Sequence, residues 1–119
     1  MGTTEVTVRV VNLADPAHVA EVEMVVDSGA IYSIVPARVL RTIGAEPRET
    51  QPFSLANGES VRRAIGDVRY EIDGRSGAAP VIFGRRGDAS LLGVVTLEAL
   101  GLRLDPLRRQ LRPLRLMIA

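Results

Sequence analysis

The tetrapeptide Asp27-Ser28-Gly29-Ala30 stands directly behind the apolar run Met24-Val25-Val26, and this junction constrains the chain more than any other stretch. A β-branched run that stops at Asp-Ser-Gly reads as a strand ending in a tight turn. Glycine reaches backbone conformations closed to other residues, serine hydrogen-bonds locally, and the valines anchor the turn in a core. The Asp27 carboxylate is thereby placed at the rim of a buried strand, where an acid that does chemistry belongs. Asp-Ser-Gly is also an ordinary turn, so a chemical role requires support from elsewhere in the chain.

With 119 residues, the chain has room for one core and is expected to form a single domain over 1–119. It contains no cysteine, which excludes disulfides, thiolate nucleophiles and cysteine-ligated metal centres. Packing alone has to hold the fold. The lone histidine, His18, rules out multi-histidine metal sites, and behind Asp15-Pro16-Ala17 it reads as a loop residue. The 15 basic side chains are all arginine, so lysine chemistry is absent, and neither a metal nor a cofactor is expected. A net charge of +1 gives no global pull toward nucleic acid or membrane. Arginines cluster late, at Arg103, Arg108, Arg109, Arg112 and Arg115, between Leu102, Leu104, Leu107, Leu111 and Leu114. They read as the polar face of a strand or hairpin, since no aromatic stacking platform lies nearby. The first residues carry no secretion signal, Val6 stands where myristoylation needs Ser or Thr, and no apolar run approaches the roughly 18 residues of a membrane span. A soluble, cytoplasmic protein is expected.

Glu5 to Val11 and Val19 to Val26 read as strands, the second with Glu21 and Glu23 on the face opposite Val22 and Met24. Pro36 to Ile43 predicts a short helix, with proline at its first position and Gly44 beyond its end. From Thr50 the punctuation is that of hairpins. Asn57-Gly58 supplies the positive φ angles of a two-residue turn, and a second hairpin turns through Asp73 to Gly77. Thr96 to Leu100 reads as a helix ending at Gly101, and Leu102 to Leu116 as extended chain broken by Pro106 and Pro113. The carboxylates of Asp67, Asp73, Asp88 and Asp105 read as surface or capping groups.

The order Val25-Val26-Asp27-Ser28-Gly29-Ala30, a β-rich middle with an Asn57-Gly58 tip, then Leu91-Leu92-Gly93 opening a helix, resembles the retropepsin-like aspartic proteases over roughly Val6 to Leu114. Within them it is most similar to the small single-domain bacterial and cellular members, in which a helical segment follows Asp-Ser/Thr-Gly-Ala. The resemblance implies an all-β, retropepsin-like acid-protease barrel with a flap hairpin and one or two short helices, assembled as a two-fold homodimer. The chemistry of that family needs two carboxylates across one water, and this chain has a single Asp-Ser-Gly, so each protomer would supply one Asp27. Two such carboxylates share a proton and titrate as a coupled pair.

The resemblance also assigns roles around Asp27. Ser28 would reach the partner's main chain, the Gly29 amide would hold the carboxylate, and Ala30 would be small where substrate backbone lies. Ile31 would line a side-chain pocket. The hairpin Leu55 to Arg62, with Leu55, Ala56, Asn57, Gly58 and Glu59 touching substrate, would close over an extended peptide or protein segment. Leu92 would border the substrate, and Leu92-Gly93 would pack behind the turn. Ile31-Tyr32-Ser33 stands where viral members carry acidic residues, and the hairpin tip is less glycine-rich than theirs. Tyr32 reads as a partly buried core tyrosine in preference to a hydrogen-bonding group of the site. Two other readings stand beside the homodimeric endopeptidase: a catalytically silent dimeric binding module of the same fold, and an unrelated small β-barrel binding nucleic acid through the late arginines.

Overall fold

The computed structural model describes residues 3–115. Among these, nine strands and two short helices follow in the order β1 (Glu5–Val11), β2 (Val19–Val26), β3 (Ser33–Pro36), α1 (Ala37–Thr42), β4 (Glu49–Ser54), β5 (Ser60–Ile72), β6 (Arg75–Gly84), β7 (Leu91–Leu92), α2 (Val94–Ala99), β8 (Leu102–Asp105) and β9 (Gln110–Pro113). Strict alternation sets the first two strands. Val8, Val10, Val22 and Met24 turn inward, while Thr7, Arg9, Glu21 and Glu23 face out and meet across the pair as Thr7↔Glu23 and Arg9↔Glu21.

Seven strands form one sheet in the order β1-β2-β7-β3-β6-β5-β4, and β1 pairs again with β5 from Arg9↔Glu71 to Val11↔Arg69. The sheet therefore closes on itself and leaves β4 overhanging. The 13 residues of β5 make this possible: its first half carries β4, its last residues carry β1, and β6 runs beside it from Ile65 to Ile72. Closure leaves few unpaired edges and encloses a core in which Val8, Val10, Met24, Val35, Leu40, Val68, Tyr70, Val81 and Leu92 are wholly buried. Each large side chain so buried stabilises the fold by about 1.5–3 kcal/mol.

Helix α1 stops as expected. Gly44 takes φ +75°, its amide donates to the Arg41 carbonyl (3.0 Å) and the Ala45 amide to that of Leu40 (2.9 Å), which satisfies two orphan carbonyls. Pro36 is the N-cap rather than the first helical residue.

Both hairpin turns depart from the geometries expected of them. At Asn57-Gly58 only Gly58 has a positive φ (89°). Leu55 and Glu59 still bond (2.8 Å), and the Asn57 side chain accepts the Glu59 amide (2.9 Å), so the loop has three residues. The tight two-residue turn is Asp73-Gly74, with φ of 48° and 81°. Arg75, Ser76 and Gly77 are strand, not loop, paired with Ile72, Glu71 and Tyr70, and Gly77 lets the end of α2 come close: a Cβ there would stand 2.5 Å from the Ala99 carbonyl oxygen. Helix α2 begins at Val94 rather than Thr96.

The extended chain expected from Leu102, broken at Pro106, is a hairpin, β8 and β9, in its own two-stranded sheet, while Pro113 is the last residue of β9 rather than a break. Asp105 caps the intervening turn by accepting the Leu107 and Arg108 amides (3.1 and 3.2 Å), and Arg112 approaches Asp105 at 3.6 Å. Leu116 lies outside the described residues. Among the described residues, no helix is long and apolar enough to cross a membrane.

Candidate active site

The end of β2 runs parallel to β7 with Val25↔Leu91 and Val26↔Leu92 in register, and the next residue is Asp27. Its amide donates to the Leu92 carbonyl (3.0 Å), so the sheet continues through the backbone of the acid itself. The chain then reverses. The Ala30 amide donates to the Asp27 carbonyl (3.1 Å), and the Gly29 amide to Asp27 Oδ1 (2.9 Å), which aims the carboxylate along the turn. The far end is tied down by the start of α2, where the amides of Val94 and Val95 donate to the carbonyls of Ala30 (2.9 Å) and Ile31 (3.0 Å). Residues 92–95 thus clamp both ends of the turn.

Gly93 is at the centre of that clamp. A Cβ on it would fall 2.7 Å from the Ile31 oxygen and from the carbonyl carbon and oxygen of Tyr32. Its amide donates to Ser33 Oγ (2.9 Å), which lies 2.6 Å from Thr96 Oγ1; Ser33 and Thr96 are fully buried. The Tyr70 hydroxyl joins this polar cluster and donates to the Pro80 carbonyl (3.0 Å); burial pushes its ionisation far up, so it stays a neutral donor. Buried polar groups fully satisfied in this way hold the turn in one position.

Asp27 opens onto a cleft of about 660 Å³. Gly29, Ala30, Ile31 and Tyr32 border it from the turn, Phe53, Ser54, Leu55, Ala56 and Val61 from the β4–β5 hairpin, and Ile34, Ile82 and Leu91 from the sheet. The lining is mainly apolar, and two of its residues are notably exposed, Ile31 at 67% and Leu55 at 43%. Against this background stands one ion pair. Arg63 Nε donates to Asp88 Oδ2 (2.8 Å) and Nη2 to Oδ1 (3.1 Å), while the Arg85 amide also donates to Oδ2 (2.8 Å). These bonds, led by that from Arg63, hold the Asp88 carboxyl below the usual carboxylate range.

Of the residues singled out from sequence, Asp27, Gly29, Ala30, Ile31, Leu55 and Ala56 come together at this cleft. Ser28 is exposed beside it, and Asn57, Gly58 and Glu59 stand at the exposed hairpin tip without lining it. Leu92 is fully buried in the core, and its neighbour Leu91 faces the cleft, because consecutive residues of a strand point to opposite sides. Tyr32 is half-buried on the cleft instead of in the core, where Tyr70 sits. Strand parity with Phe53 and Val61 could have found Arg63. Nothing local announces its pairing with Asp88 across 25 positions, and Asp88, read as a capping group, both caps its turn and lines the cleft. Among the described residues, no group of three or more His, Cys, Asp or Glu is placed to hold a metal ion.

A scan of protein-family models gives no match, and a search of curated proteins gives none either. Among solved structures the chain is similar to the solution structure of the simian foamy virus (mac) protease, with a TM-score of 0.54 and 18% identity over 79% of this chain and 91% of that one. At that identity the likeness speaks for the fold, which is retropepsin-like.

Proposed function

We propose that this chain is an aspartic endopeptidase that works as a two-fold homodimer, its site completed by one Asp27 from each protomer. The observation that carries this reading is the Asp27 carboxylate, fixed by the Gly29 amide on a turn clamped at both ends and opening onto an apolar cleft. An extended peptide lies in the cleft, and the β4–β5 hairpin acts as its flap, covering the reacting bond and excluding water. One ionised carboxylate takes a proton from the water between the pair while its protonated partner donates to the scissile carbonyl oxygen. The tetrahedral intermediate then collapses with the proton passing to the leaving amine. Ser28, exposed beside the turn, is free to bond the partner's main chain. The presence of α1 between the turn and the hairpin supports kinship with the small single-domain members.

The test is cleavage of a diverse unfolded-peptide mixture at high protein concentration, from acidic to neutral pH, read by mass spectrometry. Wild type is expected to cleave and Asp27→Asn to be silent. Cleavage retained by Asp27→Asn would falsify the reading; a dimer that binds peptides without turnover in either form makes the chain a binding module of the same fold, which the exposed apolar Ile31 and Leu55 would also serve.

A further inference from the structure

We propose that the Arg63–Asp88 pair sets the specificity of the cleft: Asp88 occupies a guanidinium that would otherwise draw acidic side chains, and so reserves that subsite for an apolar residue of an extended peptide. This rests on the cleft being the peptide site. Arg63 projects from β5 on the face it shares with Val61, and Asp88 from the turn after β6, so the pair spans two separate elements of the cleft. It is the least exposed combination among the ion pairs of the described residues, at 16% and 23% for the two side chains. Every nitrogen of the guanidinium is engaged, because Nη1 donates to the Arg62 carbonyl (2.9 Å) while Nε and Nη2 hold Asp88.

The consequence follows from what each incoming side chain would have to do. An anionic residue finds three of the five Arg63 N–H donors already engaged, the bidentate edge among them, and meets the Asp88 charge. A cationic residue finds three of the four acceptor positions of Asp88 filled, by Arg63 and the Arg85 amide, and meets the Arg63 charge. An apolar residue displaces nothing and packs on the aliphatic stem of Arg63 beside its cleft neighbours Val61 and Ile82. Breaking the pair from either side leaves a charge in mainly apolar surroundings, where a bidentate or charge-assisted partner is strongly favoured. The two halves of the pair therefore hold opposite latent specificities.

Two variants read this out in opposite directions. Asp88→Asn keeps an oxygen for the Arg85 amide and frees Arg63; Arg63→Gln frees Asp88. With a peptide library varied one position at a time, Asp88→Asn is expected to raise the acidic-to-apolar preference at one position on the order of tenfold or more. Arg63→Gln is expected to raise the basic-to-apolar preference at that same position, and the exchanged pair Arg63→Asp with Asp88→Arg to restore apolar preference. Since the two single variants make separate predictions, either one that folds suffices. Wild type that cleaves, with preferences unmoved in the variants, overturns the inference and leaves the protease reading intact. If wild type cleaves nothing, the protease reading fails, and the same libraries are passed over immobilised Asp27→Asn protein with and without the second change. Opposite shifts in the retained peptides then uphold the inference; unchanged retention, or none, overturns it.

Discussion

At Gly93 a side chain would have to occupy space already held by the backbone of Ile31 and Tyr32, 2.7 Å away, and backbone that is itself hydrogen-bonded cannot retreat as a flexible side chain would. Gly93→Ala is therefore expected to destabilise the fold by about 2–4 kcal/mol and to abolish activity in whatever protein stays folded, since the displaced segment is the one that positions Asp27; urea denaturation beside an activity assay checks both. Asp88 makes a prediction of the other kind, in pH. Its carboxyl is held below its ordinary value in the folded chain, chiefly by the hydrogen bonds from Arg63, and regains an ordinary value near 3.9 on unfolding. A depressed folded pKa contributes stability that is fully present above the unfolded pKa and is lost as pH falls through the folded one. Wild type should exceed Asp88→Asn by roughly 1–3 kcal/mol at neutral pH, and the gap should close as pH drops below about 4. A difference that persists unchanged in acid would mean that Asp88 acts through shape and its turn alone.

The strands and helices around these residues were legible where a local rule decides them. Alternation located β1 and β2 to the residue, and a glycine beyond a helical run located the end of α1, because both signals reside within a few neighbouring side chains. The two hairpins show where such rules stop. Asn-Gly and Asp-Gly are equally good two-residue turns by residue type, and the structure gives that geometry to Asp73-Gly74 only. What accompanies it is remote: Gly77, paired in the sheet with Tyr70, leaves the room that the end of α2 occupies, and the pairing Ile72↔Arg75 leaves two residues to turn. No such contact acts on Gly58, where an added Cβ would meet nothing within 4 Å, and there the Asn57 side chain shapes a wider loop by taking the Glu59 amide. The site divides in the same way. The Asp27 turn announced itself because its chemistry and its geometry lie in four consecutive residues, whereas Arg63 and Asp88 acquire a role only when β5 and the turn after β6 are brought side by side. Leu91 and Leu92 differ in nothing but strand parity, which a run of two apolar residues cannot fix.

For the whole molecule the decisive quantity is how many carboxylates face one water. The described chain brings one Asp-Ser-Gly turn to its cleft, so the proposed chemistry belongs to a pair of chains, and activity has to follow the population of dimers rather than of protomers. Simple dilution would lower activity per chain, but so would adsorption or slow unfolding. Subunit mixing separates these explanations. If wild type and Asp27→Asn are combined in equal amounts and allowed to exchange, about one quarter of the dimers carry both carboxylates, so activity should settle near a quarter of that of the same total wild-type protein. Chains acting alone would retain about half under the same principle of independent sites, and a dimer needing only one carboxylate would retain about three quarters. Because the three outcomes are separated by equal steps at one fixed total concentration, losses common to all samples cancel in the comparison. Since Asp27→Asn changes neither size nor the turn's backbone bonds, the mixed dimer should form as readily as the parent. A value near one quarter would place one Asp27 from each protomer in a single working site, and a value near one half would sink the shared dyad.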